Sequence, residues 1–255
     1  MKLHARWSAQ ALDLPSHATF RCLLDLGGGD LAAGSDYGLA LRRGGAWSPF
    51  PFPAGARREA RRVESLALHE GALHVVSARN HYAWPFAGVA RGAGFPRDAY
   101  KADIELRAVF AHPDGRLLRA WRTHLEGAGG PGDLISFATD GEQVYAGSLD
   151  GRLVVVDGPE IRRFDGPVRY LAWSDGALHV AAAGGLHTWR SGAWSEQSGE
   201  PYALHEHEGA LYALRGGALW RDGLRLAIPF VRPWSLGSAG VHLAVGEVGG
   251  LSMLR

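Results

Sequence analysis

Two short stretches at opposite ends of this chain read as parts of one β-sheet unit, which constrains the fold more than any other feature. Trp7-Ser8-Ala9-Gln10 reproduces Trp194-Ser195-Glu196-Gln197, which ends a complete internal unit, while residues 248–255 read as a unit that stops one strand short. If the N-terminal segment supplies the missing outer strand, the units must close into a ring. Closure leaves only short, protected sheet edges.

The units are visible along the chain. Four segments, beginning at Asp133, Val168, Tyr202 and Pro233, each read as an apolar strand, an Asp/Glu-Gly or Ala-Gly turn, a second alternating strand, a Gly-rich corner and a hairpin of two more strands. Their turn glycines, Gly141, Gly176, Gly209 and Gly240, recur at intervals of 35, 33 and 31 residues, a period that belongs to solenoids and propellers. Upstream, the hairpin Gly38 to Ser48 matches Gly185 to Ser195 at seven of eleven positions without a gap. A second upstream unit opens at Val63, breaks off after Ala78 and resumes near Ile104. A further unit around Asp114-Gly115 would leave only 26 residues to Gly141, short for four strands and their turns. The expectation is an all-β chain folded as a single domain over 1–255: a six-bladed β-propeller, seven-bladed as runner-up, with four-stranded blades and an N-terminal strand completing the last.

The strand-ending pairs Gly184-Gly185 and Gly216-Gly217, with the hairpins ending in Trp47 and Trp194, resemble eroded Asp-boxes. The resemblance is to generic propeller repeats of the kelch and Asp-box (BNR, photosystem-assembly-factor-like) kind and covers essentially the whole chain. The full Ser-x-Asp-x-Gly-x-Thr-Trp pattern and the WD40 dipeptides are absent, so the resemblance implies a fold and carries no family's activity with it.

Composition narrows the function classes. Basic and acidic residues nearly cancel, 27 against 26, so the chain as a whole is no polyanion binder. The single cysteine, Cys22, excludes an internal disulfide, suits a reducing compartment and reads as a small buried hydrophobe. The first ten residues lack the apolar core of a signal peptide and no apolar run approaches the roughly 20 residues of a spanning helix; the expected location is cytoplasmic, without membrane contact.

Long connections point to a docking face. In a four-stranded blade the connections between blades and between second and third strands share one face of the disc. With six units, residues 49–62, 79–103 and 124–133 all fall in that class, around the second unit. The first carries Arg57, Arg58, Arg61 and Arg62; the second carries His81, Tyr82, Trp84, Phe86, Arg91, Phe95, Arg97, Tyr100 and Lys101. Net charges of +3 and +2 on these two segments set a basic, aromatic patch on an otherwise acidic body. Trp84 reads as the one tryptophan in a long loop, the others being periodic.

Chemistry is sparse. The twelve histidines form no HExxH or clustered Cys/His spacing, and His205 with His207 aligns with ordinary turn flanks. Arg21, Glu64, Asp133 and Arg169 fall near the starts of first strands, where they would ring a central channel. The reading is a non-catalytic interaction scaffold binding a protein or acidic peptide through the long-loop face, with no cofactor and no metal. Two other classes stand beside it: a hydrolase or lyase using a polar channel, where a small-molecule ligand would also bind, and a polyanion or nucleic-acid binder using the local basic patch.

Overall fold

Acid-glycine pairs set the hairpins. Glu70-Gly71, Asp175-Gly176 and Glu208-Gly209 hold both residues at positive φ (47 and 72°, 49 and 66°, 50 and 78°), the type I′ geometry whose twist matches two antiparallel strands. The computed structural model describes residues 1–50, 52, 61–77, 80–85, 100–101 and 105–255, the pair 100–101 by backbone alone. Among them no helix is long and apolar enough to cross a membrane.

The strands assemble into seven sheets. Their first strands, Phe20–Gly27, Val63–His69, Leu106–Ala111, Leu134–Thr139, Tyr170–Ser174, Ala203–His207 and Pro233–Ala239, each lie against the next, and the last lies against the first. This is a closed β-propeller. Blade 7 consists of Pro233–Ala239, His242–Glu247, Gly250–Leu254 and, as its outer strand, Leu3–Ser8 from the other end of the chain, with Trp7 opposite Leu251 and Leu3 opposite Leu254.

The blade count corrects the expectation of six. The stretch taken as one interrupted unit is two blades. Blade 2 finds its third and fourth strands in Asn80–Pro85 and Tyr100–Lys101, and blade 3 is Leu106–Ala111, Leu117–Trp121 and the two-residue strand Leu125–Glu126. Blade 3 fits into so few residues because its fourth strand is reduced to one bridge between His124 and Pro131.

A recurring contact knits neighbouring blades. The third position of the first strand is Cys22, Ser136 and Ser235 in blades 1, 4 and 7, opposite Gly34, Gly147 and Gly246 of the second strand. Ser136 Oγ donates to the carbonyl of Val168 at 2.8 Å and Ser235 Oγ to that of Phe20 at 2.9 Å, each in the following blade; Cys22 Sγ stands 4.0 Å from the carbonyl of Val63. The glycines make room: a Cβ at Gly246 would lie 2.7 Å from Phe20 Cβ, and one at Gly34 2.6 Å from Val63 Cγ1, so only glycine lets the next blade approach.

Ring closure has its own lock. Glu247 is fully buried and accepts hydrogen bonds from Arg6 Nη2 (2.6 Å), the Val231 N–H (2.5 Å) and Ser252 Oγ (2.5 Å). Its carboxylate therefore ties the N-terminal strand to blade 7 and to the connection entering it, with the charge paired and hydrogen-bonded as burial requires. Trp7 then meets Trp47 of blade 1 edge to face at 5.5 Å and lies 5.7 Å beneath Arg42.

Candidate functional site

All first strands begin on one face of the disc, and there the ladder is locally broken. Pairing skips the second residue in blades 1, 2, 3, 4 and 7: Arg21, Glu64, Arg107, Ile135 and Trp234. A bulged residue escapes the strict alternation of the ladder and is re-aimed. In blades 5 and 6 the matching places are Arg169 and Tyr202, whose N–H groups bond to Ala181 and Leu214 of their own second strands. The residue before each is apolar and buried: Phe20, Val63, Leu106, Leu134, Val168, Pro201 and Pro233. Seven buried anchors thus hold seven side chains around the mouth of the central channel.

That ring has two unlike arcs. Over blades 2 to 5 its charges neutralise one another: Arg62 Nε lies 2.6 Å from Glu64 Oε1, Arg107 Nε 3.1 Å from Asp133 Oδ1, and Arg169 Nε 3.9 Å from Glu200 Oε1. Over blades 6 and 7 it is aromatic, Tyr202 and Trp234, and blade 1 adds Arg21. Trp234 is 43% exposed, the one exposed tryptophan of the chain's nine. The Arg21 guanidinium lies 5.9 Å from its ring centroid and Tyr202 lies 6.5 Å away. Val231, 56% exposed, precedes it by three residues. Arg21 has no carboxylate partner among the described residues; its Nε is buried and has no hydrogen-bond acceptor. Burial pushes the Tyr170 hydroxyl above the ordinary tyrosine range; the charges of Arg169 and Arg21 oppose this and that of Glu200 adds to it.

The channel residues read from sequence, Arg21, Glu64, Asp133 and Arg169, all lie at this mouth. Arg107, Glu200, Tyr202 and Trp234 were missed. A signal existed in the fixed step from the buried anchor to the next residue, repeated seven times, at which only blade 7 carries tryptophan.

The partner-binding residues fare differently. Trp84 and Tyr82 are corrected from loop to strand: both belong to the third strand of blade 2, 6% and 0% exposed, packed with Phe50. Tyr82 also meets Phe52 at 5.3 Å. They are core between blades 1 and 2, with no surface to offer a partner. His81 is buried too, its Nε2 3.0 Å from His74 Nδ1 on the side of the sheet that faces blade 3. Tyr100 pairs by backbone with Tyr82, and Lys101 with His81. Arg61 and Arg62 are exposed where the chain enters blade 2. Arg57, Arg58, Phe86, Arg91, Phe95 and Arg97 lie outside the described residues.

The single docking rim is also corrected. Pro85 pairs with Ala72, so the third strand of blade 2 ends beside the Glu70-Gly71 turn, on the turn face. Arg61 and Arg62 instead lead into Val63, at the opposite face, with the channel mouth. The third strand of blade 2 therefore ends on the face opposite the channel mouth.

No protein-family profile matches this chain, and no curated protein does. Solved structures do. The WD40 β-propeller domain of Doa1 aligns at TM-score 0.69 and 12% identity, covering 100% of this chain and 96% of that one. Virginiamycin B lyase of Staphylococcus aureus aligns at 0.72 and 10%, covering 99% and 98%. An extracellular domain assigned to a hybrid two-component system of B. thetaiotaomicron aligns at 0.74 and 14%, covering 98% of this chain and 41% of that one. The chain spans only about two-fifths of such extracellular domains, 38% in another case. At these identities the likeness establishes the β-propeller fold and nothing finer, the kelch or Asp-box type included. Among the described residues no group of three or more His, Cys, Asp or Glu side chains could hold a metal ion.

Proposed function

We propose that this protein is a recognition platform that binds a protein or peptide partner on the face carrying the channel mouth, with Trp234 as the anchor. The observation that carries the reading is the exposure of that one tryptophan, held at a bulge in the innermost strand of a rigid ring and flanked by Arg21, Tyr202 and Val231. Tryptophan and arginine are the side chains that dominate binding energy at protein interfaces, because each buries a large apolar or planar surface with a polar handle. The strand fixes the anchor's position before any partner arrives, which spares the ordering cost that a flexible loop would carry. Arg61 and Arg62, exposed where the chain enters blade 2, lie on the same face. The lone thiol suits a reducing compartment such as the cytoplasm.

The test is selection of a randomised, phage-displayed peptide library on the full-length protein, repeated on Trp234→Ala. The expected result is a set of peptides whose affinity drops about thirtyfold on Trp234→Ala, the scale of an interface hot spot, with an unchanged melting temperature. Selected peptides that bind both proteins equally would remove the anchor.

A further inference from the structure

The two arcs of the mouth differ in charge compensation as well as in polarity, and the difference selects a ligand. Taking the platform reading as its basis, we infer that the partner segment captured at Trp234 is acidic, and that a carboxylate of that segment docks on Arg21.

Three observations converge. The ring carries three arginines, and two already have carboxylates: Arg107 has Asp133 at 3.1 Å and Arg169 has Glu200 at 3.9 Å. Arg21 has none among the described residues, and its Nε makes no hydrogen bond. Because that Nε is buried, the capacity for a charge-assisted bond to a carboxylate, shorter and stronger than a neutral one, lies at the Nη end of the guanidinium, which also makes no hydrogen bond among the described residues.

The surroundings fit such an occupant. Trp234 and Arg21 lie 5.9 Å apart, centroid to Cζ, so an apolar side chain on the indole and a carboxylate on the guanidinium would come from neighbouring residues of one extended segment. Arg232, exposed and two residues before Trp234, adds a second cation on the rim. Glu64, the ring carboxylate of the next blade, is held by Arg62 at 2.6 Å. The surface therefore attracts an acidic chain, and the two Arg-carboxylate pairs on the far arc keep it from being a general polyanion track, because they cancel positive charge where a phosphate backbone would continue.

The experiment uses the full chain and the peptides selected on it. Acidic residues should be enriched beside an apolar one. Replacing those Asp and Glu residues with Asn and Gln should weaken binding about tenfold or more on wild type and hardly at all on Arg21→Gln, while Arg21→Lys should restore part of the loss. Raised salt should weaken the acidic peptides and spare the amide versions. Peptides that depend on Trp234 yet show no acidic preference and bind Arg21→Gln as well as wild type overturn the carboxylate assignment and leave the platform standing. Binding indifferent to Trp234, or no selected peptide at all, overturns both. A DNA duplex that competes as strongly as the acidic peptides also overturns the inference, since it marks a polyanion site.

Discussion

The seam that closes the ring and the seam between blades 2 and 3 do the same geometric job with different chemistry. Where blade 7 meets blade 1, contacts run from the inner strand to the rim: Ser235 Oγ on the Phe20 carbonyl, the Gly240 N–H donating to Asp25 Oδ2 at 3.0 Å, and Trp7 between Trp47 and Arg42. Between blades 2 and 3 Ser65 makes the matching contact, its Oγ donating to the Val109 carbonyl at 3.3 Å and accepting from the Val109 N–H at 3.2 Å, but the apolar cluster is small, Ala67, Val76, Leu106, Val109 and Leu117 with Trp121. On the blade 2 side it is completed by His74 and His81, whose rings stack at 5.2 Å. The site where the chain's two ends meet is thus the better-built seam, and the weaker one lies beside the blade that lost its outer strand.

The largest effect should come from the lock. Glu247→Ala leaves Arg6, Ser252 and the Val231 N–H without their acceptor, and breaking a buried, hydrogen-bonded ion pair costs on the order of 3 kcal/mol. Urea unfolding should show that loss, and Glu247→Gln, which keeps an acceptor, a smaller one.

Acid should strike the other seam. Burial first, and then the charges of His81, Arg119 and His69, lower His74 to about 4. A histidine lowered on folding binds its proton more readily when unfolded, so its stabilisation is complete above pH 6.5 and is lost as pH falls toward 4. The loss reaches at most roughly 3 kcal/mol, at 1.36 kcal/mol per unit. His205, lowered to about 4 by burial and then by His207, and bonded through Nε2 to Ser238 Oγ at 2.7 Å, adds a like sensitivity between blades 6 and 7. Hydrogen exchange at about pH 5 should show blades 2 and 3 losing protection before the seam between blades 7 and 1, and His74→Asn should flatten the pH dependence of unfolding. Equal loss at both seams would break the contrast.

A smaller effect follows from the inter-blade glycine. Gly246→Ala forces Cβ against Phe20 and should cost about 2 kcal/mol, as overpacking does. The matching place in blade 2 is Val76, where a side chain is already accommodated. The smallest effect should be at Cys22. Cys22 is partly exposed, and desolvation, with Glu64 adding, pushes its thiol up to about 12, so thiol reagents should label the folded protein much more slowly than the unfolded chain. Cys22→Ser should change stability by no more than about 0.5 kcal/mol.

What could be read from the sequence follows where the repeat stayed intact. The Trp7 to Gln10 match announced the closing strand because the outer hairpins still share residues, and the type I′ turns announced themselves through their acid-glycine pairs. Blade 3 was hidden because a blade with a vestigial fourth strand breaks the period that reveals its neighbours. Trp84 misled for the same reason: Asn80–Pro85 looks like a loop when the unit around it is misjudged, yet Tyr82 and Trp84 alternate with Ala83 as a strand should. Half of the mouth was legible through its charges. The aromatic half was not, because Trp234 differs from eight structural tryptophans only in standing at a bulge, and bulges are set by pairing across strands.

The closed ring itself is tested most directly by native-state hydrogen exchange at the amides of Leu3–Ser8 and Gly250–Leu254, the two strands that zip it shut. The account predicts that both segments exchange together, only through the opening that unfolds the ring as a whole. Rapid exchange of residues 3–8 while 250–254 stay protected would contradict it.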